Sequence, residues 1–141
     1  MDIKVLQDIS LSLRRDVVEM VYRTKDGHPS PSFSVADIIT ALYFEIMRLD
    51  PSNPDWEDRD RFVLSKGHSC PVLYAALAKK GYFPREELFT LRYLNSHLQG
   101  HPYAPKTKGL DATTGSLGNG VSVALGMALA ARIRRKDYQV Y

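Results

Sequence analysis

The 141-residue sequence holds a single cysteine, Cys70. No internal disulfide can form, which points to a reducing, cytoplasmic setting. No stretch approaches the roughly eighteen apolar residues of a membrane-spanning helix, and the opening Met1-Asp2-Ile3-Lys4 begins no secretory segment. Charge of one sign is scarce as well. The formal net charge is +3, acidic and basic residues are interspersed, and no Lys/Arg block is interleaved with aromatics. Nucleic acid is therefore a poor partner. The small positive excess suits an anionic small molecule without singling one out. Metal-ligand spacing is missing too. His97 and His101 stand four apart, but Gly100 and Pro102 argue against the helix that would bring them together, and no cysteine or acid lies at ligand spacing. Strand candidates are few: only Arg61-Phe62-Val63-Leu64 and Asp137-Tyr138-Gln139-Val140-Tyr141. Two strands are too few for a self-sufficient parallel sheet, which implies a fragment, or a subunit whose sheet another chain completes.

What the chain does have is ordinary globular material. Hydrophobic residues make up 44% and charged residues 25%, values that fit one domain with a real core. Residues 3–24 carry apolar side chains at helical spacing (Ile3, Leu6, Ile9, Leu13, Val17, Met20, Val21), with Arg14, Arg15, Asp16 and Glu19 on the other face and Gly27 as a left-handed cap. Pro29 and Pro31 make His28–Phe33 a stiff, non-helical loop. Ser34 then reads as an N-cap, with Asp37 completing a partial capping box, for a helix Val35–Leu49 that is apolar almost all round. Asp55–Asp60 reads as a solvated charged turn. Helix resumes through Pro71–Lys80 and stops at Gly81, and Pro84–Leu94 forms a short amphipathic helix.

Four places have the residue types for chemistry. Thr113-Thr114-Gly115-Ser116-Leu117-Gly118-Asn119-Gly120 puts three glycines in six residues ahead of a helix of small residues, Val121–Arg135. Such a turn is either a cradle for a flat or anionic ligand, with free N–H groups pointing outward, or a tight turn before a buried helix. His68 sits where Ser65-Lys66-Gly67-His68 passes from strand to helix, the place where open α/β sheets bind ligands. His28 and His101 each stand in a His-Pro step on a loop, where the ring either packs locally or meets a ligand. Cys70 lies two residues from His68, a spacing that does not face the two side chains toward each other on a helix.

Taken together, the motifs resemble the N-terminal, thiamine-diphosphate-binding part of transketolase. The matching pieces are Gly27-His28-Pro29-Ser30, Ser34-Val35-Ala36-Asp37-Ile38, Asp58–His68, Gln99-Gly100-His101-Pro102 and Thr114–Gly120, in the family's order and spacing over nearly the whole chain. The chain is especially similar to the N-terminal half of the split, two-subunit form. The resemblance implies an α/β thiamine-diphosphate-binding fold, a parallel sheet flanked by helices. Here it would be incomplete and helix-rich, with residues 1–141 as the N-terminal part of the diphosphate-binding domain and no second domain.

The resemblance also implies roles. His28 and His101 match histidines that contact the sugar near its reacting carbons. His68 matches the histidine at the cofactor's diphosphate. Gly115, Ser116 and Leu117 match the segment against the aminopyrimidine ring, so the pyrimidine, rather than the phosphate, belongs at the glycine turn. The implied reaction moves a two-carbon ketol unit from a ketose phosphate to an aldose phosphate, with thiamine diphosphate and Mg²⁺. The alternatives are a related thiamine-dependent enzyme, of the deoxyxylulose phosphate synthase or dehydrogenase E1 type, and a non-catalytic assembly module.

Two departures stand out. Ser30-Pro31-Ser32 follows His28-Pro29 where the family has small residues, often Gly-Gly. The family's Gly-Asp-Gly segment, which begins the Mg²⁺ site, would fall just after Tyr141. The resemblance therefore implies no metal ligand on this chain, weak cofactor binding by the chain alone, and an oligomeric assembly. In that assembly a C-terminal transketolase subunit or domain would bring the activating glutamate.

Overall fold

The computed structural model describes residues 1–141. Helix α1 covers Ile3–Thr24, where the apolar spacing predicts it, and Asp2 caps it by accepting the Lys4 N–H at 2.9 Å. Its Leu13, Val17 and Met20 are fully buried, and burial of each such side chain stabilises the fold by about 1.5–3 kcal/mol. Asp16 is not on the open face. It is buried, and the Arg85 guanidinium donates to its Oδ1 at 2.8 and 2.6 Å. The left-handed cap is Lys25, at φ 56°, rather than Gly27.

The stiff loop predicted for His28–Phe33 is a short helix, α2 (Pro29–Phe33). Both prolines sit in its first turn, where their missing N–H groups would have had no partner anyway. Ser34 does not cap the next helix. It is the residue that closes α2, and α3 (Ala36–Ala41) starts from Val35. Asp37 is drawn elsewhere: Arg14 donates to its two oxygens at 2.9 and 2.8 Å, and the Ser10 hydroxyl donates at 2.5 Å. The long predicted helix stops early. After α3 the chain widens into one π-helical turn, Leu42–Ile46, and Met47 is extended.

Helix α4 (Cys70–Lys80) is the centre of the core. Val72, Leu73, Tyr74, Ala75, Ala76 and Leu77 are all 2% exposed or less. The helices α1, α2 and α3 pack around it. Pro71 starts it and Gly81 ends it in the left-handed region, with the Gly81 N–H donating to Leu77 and Ala78. The helix predicted over Pro84–Leu94 is a 3₁₀ segment, Arg85–Thr90, with Pro84 outside it as the cap.

The two strand candidates meet as a parallel pair, but the expected sheet is reduced to a single bridge, Arg61 with Val140. Three backbone bonds make it: Arg61 N–H to Gln139, Val63 N–H to Tyr141 and Tyr141 N–H to Arg61. No third strand flanks either segment, so the ladder has nothing to extend along. Buried charge holds this join. Asp60, expected in a solvated turn, is 2% exposed and accepts from the N–H groups of Arg48 and Gln139, both at 2.8 Å. Burial pushes its carboxyl pKa up, but those N–H groups and the Arg48 guanidinium outweigh burial and hold it below the usual range. Arg59 is buried beside it and pairs with Asp111 at 2.6 Å, while Asp111 also accepts the Phe62 N–H at 2.8 Å.

Helix α5 (Asn119–Ile133) differs most from expectation. Only Gly120 and Ala131 are buried, and Val121, Leu125, Leu129 and Ile133 are exposed. Small residues here do not mark burial within this chain.

Two outcomes follow from the charged contacts. Asp60→Ala strands two N–H donors and a guanidinium, and is expected to cost about 2–3 kcal/mol in urea unfolding. Hydrogen bonds from Arg14, then that from Ser10, hold the Asp37 carboxyl at about 2, below its ordinary 3.8, against a smaller opposing effect of burial. A lowered carboxyl pKa stabilises the fold above the ordinary value, and that contribution is lost as pH falls from about 4 to about 2. The Asp37 side chain is 77% exposed, so solvent screening keeps the effect below about 1 kcal/mol. Asp37→Asn should flatten this part of the acid limb in a stability–pH titration.

Candidate functional site

Four separate segments bring the predicted residues toward one another. His28 stands exposed at the start of α2, its carbonyl accepting the Ser32 hydroxyl at 2.8 Å. His68 lies half-buried in a 3₁₀ turn, Gly67–Ser69, just before α4. Their rings meet edge to face, with centroids 5.8 Å apart. Lys66 locks the two segments together, donating to the Pro31 carbonyl at 3.0 Å and the Ser34 hydroxyl at 2.6 Å, and Ser69 adds a bond to Pro31 at 3.1 Å.

His101 is exposed on a loop that α4 holds from below. The Tyr74 hydroxyl donates to the carbonyls of Gln99 at 2.8 Å and His101 at 3.1 Å, and the Cys70 thiol points to that of Gly100 at 3.2 Å. Burial, the largest effect, pushes the Cys70 thiol up to about 12. It is a structural donor rather than a nucleophile. The Gly115 backbone faces the His101 ring: a Cβ on residue 115 would lie 3.8 Å from Cδ2 and Cγ. The Thr114 N–H, next to it, donates to the Pro102 carbonyl at 3.2 Å.

The two histidine groups are joined by close backbone approach. A Cβ on Gly67 would stand 2.9 Å from the Thr114 carbonyl oxygen, and one on Gly120 would stand 2.6 Å from Ser65 Cα. Only glycine allows the 65–69 turn and the 113–120 turn to touch this closely. Gly118 has a different reason, since it sits in open space at φ 88° to start α5. Between these contacts the backbone from Gly115 to Gly118 is open, and Ser116 and Leu117 are exposed, Leu117 at 70%. The Thr114 hydroxyl is buried with no partner.

Beside His101 lies a polar cavity of about 570 Å³ whose lining includes Arg92, Gln99, Tyr103, Lys106 and Thr113. His28 and His68 do not line it. The exposed backbone of Ser116–Gly118 thus forms an open shelf in a turn that meets the His68 segment through Thr114 and Gly67 and the His101 ring through Gly115. His97 stands apart, edge-on to Phe83 and 2.6 Å from a Glu87 carboxylate oxygen. No group of three His, Cys, Asp or Glu gathers in a metal-binding arrangement on these residues. Sequence reasoning assigned no role to Lys66, Tyr74, Arg92 or Thr114. Lys66 and Thr114 lie in matching motifs, but Tyr74 and Arg92 have no local pattern that would mark them.

The Gly120–Ser65 contact has a direct consequence. Gly120→Ala must push the glycine turn off residue 65, and is expected to cost about 1–3 kcal/mol in denaturant unfolding, as overpacking does.

Residues 6–140 match the family described as "Transketolase, thiamine diphosphate binding domain". The chain is 46% identical over 136 residues to a 6-deoxy-6-sulfo-D-fructose transketolase subunit of Clostridium sp. (strain MSTE9), covering 96% of this chain and 50% of that subunit. It is 43% identical over 141 residues to an apulose-4-phosphate transketolase subunit of Phocaeicola vulgatus, covering 100% of this chain and 50% of that one. The transketolase of Campylobacter jejuni superposes with a TM-score of 0.92 at 34% identity, over 100% of this chain and 23% of that one. The chain thus spans about half the length of the curated subunits it matches. With the fold and the match over residues 6–140 in agreement, the chain belongs to the transketolase N-terminal, thiamine-diphosphate-binding family.

Proposed function

We propose that these residues form the N-terminal part of the diphosphate-binding domain and supply part of a thiamine-diphosphate pocket in a transketolase. In this reading a C-terminal subunit or domain provides the activating glutamate, and the Mg²⁺ ligands lie outside these residues. The observation that carries the reading is the close approach of Gly67 to Thr114, which links the turn beside the His28–His68 pair to the turn where Gly115 meets the His101 ring. The names of the Clostridium and Phocaeicola relatives describe them as subunits, which supports a two-chain assembly.

The residues present fit the cofactor. Ser116–Gly118 is an exposed backbone edge for a flat ring, the Gly115 carbonyl would accept from an amino group, and exposed Leu117 would be an apolar surface to cover. Ser116 borders the same edge. Half-buried His68 is the donor for the diphosphate. When bound, thiamine diphosphate supplies the carbon nucleophile and electron sink that ketol transfer needs. The chain's own side chains bind and orient. His28 and His101, both exposed, are free to hydrogen-bond the hydroxyls of a sugar. The substrate class is a ketose carrying a terminal anion, such as a phosphate, in keeping with the sugars named for the two relatives. Arg92 and Lys106 add positive charge to the cavity beside His101, whose lining holds no carboxylate.

The test is ketol transfer from a ketose phosphate to an aldose phosphate by the assembled enzyme with thiamine diphosphate and Mg²⁺. Absence of turnover there overturns the reading. His68→Ala should weaken cofactor binding about 10- to 100-fold, as for one hydrogen bond to a charged group. His101→Ala should leave cofactor affinity in place and lower sugar turnover. The opposite pattern reverses the two assignments.

A further inference from the structure

One side chain spans the loops that carry His28 and His101, and above it figures only as positive charge lining the cavity beside His101. Arg92 donates from Nη1 to Asp26 Oδ1 at 2.9 Å, and the same oxygen accepts the Gly27 N–H at 2.7 Å. At its other side the guanidinium lies over the loop before His101. A Cβ on Gly100 would fall 3.0 Å from Arg92 Nε and 3.1 Å from its Cζ. The neighbouring Leu91, fully buried, packs under Gly27, where a Cβ would meet its Cδ2 at 3.2 Å. Leu91-Arg92 is therefore a wedge between residues 26–27 and residue 100, one or two positions from each histidine.

The wedge is held in an unusual backbone state. Arg92 adopts φ 61°, a left-handed conformation that a non-glycine residue takes only when its surroundings require it. Its N–H donates to the Leu98 carbonyl at 2.8 Å, closing the turn that leads into Gln99-Gly100-His101. The ion pair itself is a poor source of stability, with Arg92 44% and Asp26 41% exposed. Its planar, forked shape suits geometry better than energy. One edge meets a carboxylate while the flat body rests on a glycine, which an ammonium group cannot do.

We propose that Arg92 is a positioning residue that sets the separation of the His28 and His101 loops. Its consequence for turnover rests on the ketol-transfer reading; the clamp itself does not.

The experiment has two parts. In the full chain, imidazole Hε1 resonances are compared between the native protein and Arg92→Ala. Shifted or broadened His28 and His101 signals support the clamp, and unchanged signals for both overturn it, whatever the protein catalyses. In the assembled enzyme, Arg92→Ala should lower kcat about 10- to 100-fold while the Kd for thiamine diphosphate stays within about twofold, because misplacement of reacting groups costs rate rather than cofactor affinity. Added ethylguanidinium should restore part of the lost kcat, and Arg92→Lys should remain impaired. Gly100→Ala, which displaces the guanidinium, should give the same kcat loss, and the double variant should lose no more than either single one. An unchanged kcat, or a cofactor Kd that weakens in step with kcat, overturns the positioning role. If the native assembly itself shows no ketol transfer, that outcome overturns the functional reading, and the resonance comparison decides the clamp.

Discussion

A methyl group does not fit between residue 67 and the carbonyl of Thr114. That exclusion is the constraint on which the site depends. It lets the turn before α4 touch the glycine turn before α5, and the second contact, Gly120 against Ser65, keeps the two in register. Each turn carries one histidine group: His68 beside His28, and Gly115 beside His101. The absence of a side chain at residues 67 and 120 is what permits this approach.

Around that contact the protein is arranged as a rigid base with loops laid over it. The base is α4, buried along most of its length and wrapped by α1, α2 and α3. A buried helix that closely packed transmits position well, since its side chains have little freedom to relax. Tyr74 and Cys70 use it to hold the carbonyls of residues 99–101, so polar groups deep in the core place a loop at the surface. Lys66 does the same for α2 from the other side. Charged residues buried farther off, Asp60 and the Arg59–Asp111 pair, tie the 59–62 segment to residues distant in the chain. Buried charges of this kind contribute little net energy, and their strict partner requirements favour one arrangement over others.

Much of this was legible before the fold. The spacing of Leu13, Val17 and Met20 marks α1 and its buried stripe, and Pro71 with Gly81 brackets α4. His28, His68, His101 and Gly115 are marked by their places on loops and turns, where the residue types alone leave local packing and ligand contact both open. Several readings failed for one shared reason. Asp16 looks like a surface residue, Asp37 like a capping partner and Asp60 like part of a solvated turn. Their real partners, Arg85, Arg14 and the Arg48 and Gln139 N–H groups, are too far along the sequence for a local pattern to reveal. The predicted loop at Pro29–Phe33 failed differently: proline forbids a helix interior but not a helix start.

By itself, then, the sequence determined where most of the helices lie, where glycine clusters ahead of α5, and which family the chain belongs to. These are encoded in short-range periodicity, dihedral preference and ordered motifs. Tertiary structure alone decided that a two-strand pairing shrinks to one bridge, that α5 keeps its leucines in solvent, and that Arg92 reaches across from Asp26 to Gly100. Those outcomes depend on which distant segments pack together, and packing is a property of the whole chain rather than of any stretch of it.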